Sequence, residues 1–230
     1  MNPRDLKGWR SAKGWSQVQA AARLGVSQSY LAMLEGGGRR LTGRLAREVM
    51  KVYDLSPAVL PPSEALTPQR VDAETLARDL ASLGYPGFAH LRPRGWAAKN
   101  PGEVLLAALS QENLEARLVE ALPWLVLTFG NLDQAWMVRE AKLRDLQNRL
   151  GFVVTLAWRL AEGRGEAQKA RALRELEVTL EHSRLAREDT LCRAALSPAE
   201  RRRMAKRRSA DARRWNLLTD WTADALRYRT

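Results

Sequence analysis

The densest group of ionisable side chains in the sequence is Glu181, His182, Arg184, Arg187, Glu188 and Asp189, in the run EHSRLAREDTLC. Carboxylates beside an imidazole are the raw material of acid–base chemistry. Here, however, acids and bases alternate at three and four residues, a spacing that predicts interlocking ion pairs along one helix. The other constellations that an enzyme needs are missing. There is no Gly-rich phosphate loop, no nucleophile elbow and no histidine beside a plausible nucleophile, so a nucleic-acid-processing enzyme in particular lacks its machinery. Cys192 is the only cysteine, which excludes an internal disulfide and a thiolate cluster. His90 and His182 lie too far apart in sequence to suggest a metal site. No catalytic residue, metal or cofactor is expected.

A second concentration of charge has one sign. RRRMAKRRSADARR, residues 201 to 214, holds eight basic side chains against one acidic. Its candidates for a polyanion or an acidic partner are Arg201, Arg202, Arg203, Arg207, Arg208, Arg213 and Arg214. Such a composition supplies affinity without sequence information, and a solvated helix face is the plain alternative. Residues 1 to 54 hold ten basic side chains against four acidic ones. The two segments carry +7 and +6 of a total of +12, so the rest of the chain is close to neutral. The resulting field favours nucleic acid or acidic protein surfaces.

The elements that must position these groups are helical. Four prolines within fifteen residues, in LSPAVLPPSEALTPQ, forbid a continuous helix. They divide the chain into an N-terminal domain (residues 1–54), a Pro-rich linker (55–70) and a larger helical domain (71–230). In that larger domain, NPGE at Asn100 and SPAE at Ser197 each join a side-chain cap, a proline at the first helical position and a glutamate at the third. Apolar residues recur at three or four from Leu132 to Leu160, predicting one helix of about 30 residues that Gly151 bends. A second long helix is expected from Ala167 to about Leu191, making an antiparallel hairpin across the EGRGE turn. Pro123 either ends one helix or kinks a longer one. The C-terminal run WNLLTDWTADALRYRT demands burial, on the chain's own core or on a partner protein. No stretch of about 18 apolar residues occurs and the N-terminus lacks a signal-peptide block, so a cytoplasmic protein without membrane contact is expected. The fold class expected is all-α.

In the N-terminal domain, WSQVQAAARLG places Ser16 as a helix cap with Gln19 three residues on, and Gly25 as the left-handed stop. Ser27 caps a second short helix in which Leu31 and Leu34 face inward, Ser29, Ala32 and Met33 face outward, and Gln28 stands at the exposed start. Short helix, three-residue turn, short helix is the helix-turn-helix plan. The residues Ser16, Gln17, Ala21, Leu24, Gly25, Val26, Ser27, Leu31, Leu34 and Glu35, followed by glycine, resemble the XRE class of phage-repressor type regulators. Two departures stand out: Ala20 replaces a larger aliphatic, leaving a gap for Trp15 or Leu45, and Gly36 to Gly38 replace a commoner Asn-Gly.

The resemblance implies a five-helix lambda-repressor-like bundle whose helix 28–35 enters the major groove. Gln28 would read adenine with its amide, and Ser27, Ser29, Ala32 and Met33 would add polar contact and a surface for a thymine methyl. Gln17, Arg39 and Arg40 would hold phosphates, while Tyr30 would pack. It also implies a homodimer on a palindromic double-stranded DNA operator, acting as a transcriptional regulator and autorepressor. By family analogy the chain is the antitoxin of a pair, with its C-terminal half bound to a toxin. The alternative is a small-molecule-responsive repressor with an apolar ligand pocket between the long C-terminal helices.

Overall fold

Side-chain oxygens set three of the helix starts in the first unit of the chain, Met1–Ser63. It contains α1 (Pro3–Ala12), α2 (Gln17–Leu24), α3 (Gln28–Glu35) and α4 (Gly43–Tyr53), followed by a 3-10 turn at Pro57–Val59. Ser16 and Gln19 form a full capping box on α2, Ser27 caps α3 and Thr42 caps α4. Gly25 ends α2 with φ of 66°, a conformation that costs a residue with a Cβ and suits glycine. The apolar faces of the four helices close over Leu6, Leu24, Leu31, Leu34, Val49 and Tyr53. The small Ala20 and Leu45 belong to this core and Trp15 packs against it, with the Trp15 and Tyr53 rings 5.4 Å apart. Where five helices are expected, the fifth is this single 3-10 turn, whose flank buries Ala58 and Leu60.

The computed structural model describes residues 3–62, 71–92 and 98–226 of the chain. Residues 63–70 of the expected linker and the last four residues of the C-terminal run lie outside them.

The second unit, Glu64–Thr230, is built around one buried helix. In chain order it holds α5 (Ala73–Ser82), a 3-10 segment (Pro86–Leu91), α6 (Pro101–Leu109), α7 (Ala116–Thr128), α8 (Gln134–Leu143), α9 (Gln147–Gly163) and α10 (Ala167–Glu181). Then come α11 (Pro198–Arg207), α12 (Ala210–Arg214) and a 3-10 turn at Ala223–Ala225. A two-stranded parallel pair, β1 (Asp189–Thr190) with β2 (Leu217–Leu218), is the regular sheet among the described residues. From Gln147 to Ala161, α9 exposes Arg159 alone. A helix buried on nearly every side must be surrounded, and α6, α7, α8, α10 and α12 pack on it. Pro123 lies inside α7, which continues through it.

Three expectations are corrected. The single helix from Leu132 to Leu160 is two, because Asp145 takes a left-handed φ of 55° and the Leu146 N–H bonds back to the Ala141 carbonyl at 2.8 Å. That break changes the phase of the stripe, leaving Leu143 72% exposed and Leu146 5%. The second long helix stops at Glu181 rather than near Leu191. Asn148 explains where the chain goes next: its amide donates to the Leu185 carbonyl (2.9 Å) and accepts from the Leu185 N–H (2.8 Å), replacing the helical bonds. The ionisable cluster is therefore not one helix face, and its members reach distant partners. Arg149 makes a bidentate pair with Asp189 at 2.7 and 3.0 Å, and Arg214 another with Glu181 at 3.0 and 2.6 Å.

Gly151, expected to bend a helix, instead lies within α9 under the fully buried Trp215. The indole N–H of Trp215 donates to the Thr155 hydroxyl at 2.8 Å, one turn on. Thr155 in turn contacts the Gly151 carbonyl and the Glu177 carboxylate. The C-terminal run thus docks on the chain's own core through Trp215, Leu217, Leu218 and Leu226. A Cβ on Gly151 would meet two Trp215 ring carbons at 2.3 Å. Gly151→Ala is therefore expected to destabilise the protein by about 1–3 kcal/mol, the usual cost of overpacking. Without the clash, the same change inside a helix would stabilise by roughly 1 kcal/mol. The sign of the shift in the urea unfolding midpoint separates the two, and Gly151→Ala should cost less in a Trp215→Leu background than in the wild type.

Candidate nucleic-acid interface

The helix-turn-helix exposes the two N-termini that its caps create. Ser27, Gln28 and Ser29 at the start of α3 are exposed, as is Met33 one turn further on, while Ala32 is half-buried. Tyr30 is half-buried against the core, where it packs as expected. At the start of α2, Gln17 is half-buried and Val18 is exposed. Arg39 and Arg40 are exposed on the segment after α3, which turns at Gly37 with φ of 77°. Arg44 and Arg47 add two exposed cations in the first turns of α4.

What holds α3 in place is a residue whose role the sequence reading passed over. Glu35 ends α3 and is buried, 8% exposed. Its carboxylate accepts two bonds from Arg10 of α1, at 2.6 and 3.0 Å, and one from the Gln17 amide of α2, at 3.0 Å. Arg10 also donates to the Trp15 carbonyl at 2.9 Å, so one charge network ties three helices and the loop between two of them. The Arg10 guanidinium holds the Glu35 carboxyl below the usual carboxylate range, and the Gln17 bond adds to this against the opposing effect of burial. The signal was present in the spacing: Leu31, Leu34 and Glu35 fall at i, i+3 and i+4, which puts the acid on the inner face. Gln17, expected at a phosphate, already uses one amide N–H on Glu35. An amide carries two.

The seven arginines of the second basic segment do not share one role. Arg214 is engaged with Glu181 and Glu177, Arg208 with Glu188 at 3.2 Å, and Arg201 with the Ala194 carbonyl at 3.3 Å. Arg202, Arg203, Arg207 and Arg213 are exposed. Among the described residues, no group of three or more His, Cys, Asp or Glu is placed to hold a metal ion. Cys192 is buried, and burial pushes its thiol up to about 11, so it stays protonated at neutral pH. A surface cavity of about 300 Å³ lies at the turn between α9 and α10, lined by Glu162, Arg171 and Arg174 among others. No helix among the described residues is long and apolar enough to cross a membrane.

The network makes a test of its own. Arg10→Ala leaves a buried carboxylate uncompensated and is expected to cost about 3–5 kcal/mol, whereas replacing both partners, Arg10→Met with Glu35→Leu, should cost much less. Because Glu35 has a depressed pKa in the folded state, the pair stabilises fully above the ordinary glutamate value of about 4.3. That contribution is lost as the pH falls towards the lower folded value. Thermal unfolding of the wild type between pH 6 and 3 should show this loss on top of that from the other paired carboxylates, and the double variant should show a smaller loss. Equal acid sensitivity in both would overturn the assignment.

Comparison with known proteins agrees with this geometry. A family model described as helix-turn-helix matches residues 6–60. The match runs from Leu6, in the core face of α1, to the buried Leu60 after the 3-10 turn. No curated protein and no solved structure matches the chain. The first unit of this chain is a helix-turn-helix domain of the XRE class, the DNA-binding part of a transcriptional regulator.

Proposed function

We propose that the chain is a sequence-specific autorepressor that binds a palindromic operator as a homodimer, with α3 in the major groove. The observation that carries this reading is the division of α3 into two faces. Its inner face is locked by Leu31, Leu34 and the Glu35 network, while Gln28, Ser29 and Met33 stand outward on the face that a groove would receive. A reading helix must be held rigidly for its side chains to discriminate bases, and a charge network to both neighbouring helices does this. Gln28 can give and accept at once on adenine N6 and N7, Met33, 43% exposed, suits a thymine methyl, and Ser27, Ser29 and Ala32 complete the surface. The second amide N–H of Gln17, the α2 N-terminus, Arg39 and Arg40 hold phosphates on either side.

Dimerisation follows from economy of contact. One short helix reads only a few base pairs, so two half-sites one helical turn apart are needed for an address. We assign the larger unit to dimerisation and to a partner protein, which in the antitoxin reading is a toxin.

On the chain's own promoter, mobility shift should show binding that falls steeply with salt. Gln28→Ala is expected to cut the preference for the operator over variant sites by about 5- to 150-fold, the equivalent of 1–3 kcal/mol. Arg39→Ala with Arg40→Ala should weaken all sites alike and reduce the salt slope by about 2 for each bound chain, at about 0.9 per phosphate. Equal binding of the intact protein to operator and scrambled duplex would sink the sequence-specific reading. A monomer on a single half-site, seen by sedimentation, would remove the dimer.

A further inference from the structure

Folding sorts the basic run of residues 201–214 into two faces. At about 100° per residue, Arg202, Lys206, Arg203 and Arg207 fall within roughly 140° around α11, and all four are exposed. Arg201, Met204, Ala205 and Arg208 fall on the other side, and all four are half-buried. The inner arginines anchor the helix, through the Ala194 carbonyl and Glu188. The outer cations have no such task. Among the described residues, the side chains of Arg202, Arg203 and Lys206 make no hydrogen bond or ion pair, although Arg203 lies in the field of Glu200, and Arg207 reaches Asp220 only at 3.9 Å, with both side chains exposed. Glu200, the one acid on α11, closes the capping box with Ser197.

This outer face sets like charges at i, i+4 twice, Arg202 with Lys206 and Arg203 with Arg207. Such pairs oppose the helix that carries them until an anion neutralises them. Nothing on α11 is fully buried, so burial does not explain why the helix keeps this pattern. Among polyanions, duplex DNA is the one the chain already engages. Covalent attachment to a DNA-binding unit raises the effective concentration of the helix near a bound duplex. Three of the four cations are arginines, whose planar forks match phosphate oxygens.

We infer that the outer face of α11 is a second, sequence-independent phosphate-binding surface for double-stranded DNA. It rests on the DNA-binding assignment of the first unit, but not on operator specificity. Arg208 and Arg214, two members of the basic run, lie outside this surface because their guanidinium groups are held by acids of the chain itself.

The test uses the full chain carrying Arg202→Ala, Arg203→Ala, Lys206→Ala and Arg207→Ala together. A control removes the same charge elsewhere on the second unit, by Arg139→Ala, Lys142→Ala, Arg164→Ala and Arg171→Ala. Affinity for a promoter duplex and a scrambled duplex is measured from 50 to 300 mM salt, with helix content and melting checked by circular dichroism. The α11 variant should keep its fold and lose about 3 to 4 from the salt slope for each bound chain on both duplexes, at about 0.9 per phosphate neutralised. The control should keep the wild-type slope. An α11 variant with the wild-type slope overturns the inference, as does an equal loss in the control, which would mean a general charge effect. Loss of an acidic protein partner at unchanged slope overturns it as well. If the intact chain fails to prefer its promoter but the slope still falls in the α11 variant, the autorepressor reading fails and this surface stands.

Discussion

A carboxylate withdrawn from water must be met by donors, because an unpaired buried charge costs a large share of the stability a domain of this size has. Glu35 imposes that requirement on the first unit. Its two oxygens need Arg10 from α1 and Gln17 from α2, and both can reach only when the three helices converge on one point. The hydrophobic faces bring the helices together, but apolar burial is non-directional and tolerates sliding. The hydrogen bonds of Glu35 do not tolerate it. They set how α3 lies against α1 and α2, and thus which way Gln28, Ser29 and Met33 point.

The same constraint organises the second unit on a larger scale. Helix α9 is buried around its whole circumference, yet it carries Asn148, Arg149 and Thr155 inside. Each calls in a partner from the last third of the chain. Asn148 holds the Leu185 backbone, Arg149 holds Asp189 together with the carbonyls of Leu109 and Gln111, and Thr155 holds the Trp215 indole. The chain after α10 has little regular structure of its own, only short helices and a two-residue strand pair. It is ordered because the polar atoms of α9 require it. Once Glu188 and Glu181 have taken Arg208 and Arg214, and the Ala194 carbonyl has taken Arg201, the remaining arginines of the basic run are left to the solvent face.

How legible this was depended on whether the signal was local. Helix caps involve atoms three residues apart, so Ser16 with Gln19, Ser27, Asn100 and Ser197 with Glu200 were readable in advance, and each caps a helix. The break at Asp145 was not. Apolar spacing continues across it, since a short non-helical insertion keeps residues at three- and four-residue intervals while turning the phase, which is how Leu143 comes to face solvent. Gly151 reads as a bend because glycine lowers helix propensity, whereas its meaning is the absence of a Cβ beneath an indole 64 positions later. Periodicity also suggested that EHSRLARED was one helix with ion pairs along it. Its acids instead pair with Arg149, Arg208 and Arg214, which no short window along the chain includes.

By itself the sequence determined the class of structure, the helix-turn-helix of the first unit and the residues on its outward side, because propensity, capping and amphipathic period act over a few residues. It also determined that charge concentrates in two places. Tertiary structure alone decided that Glu35 is the anchor of α3, that the C-terminal aromatic run closes the chain's own core, and which arginines are held by the chain itself and which face solvent. Those distinctions depend on buried polar groups finding partners 18 to 60 residues away, and the energy of burying a charge is decided by what surrounds it in space rather than by what precedes it in the chain.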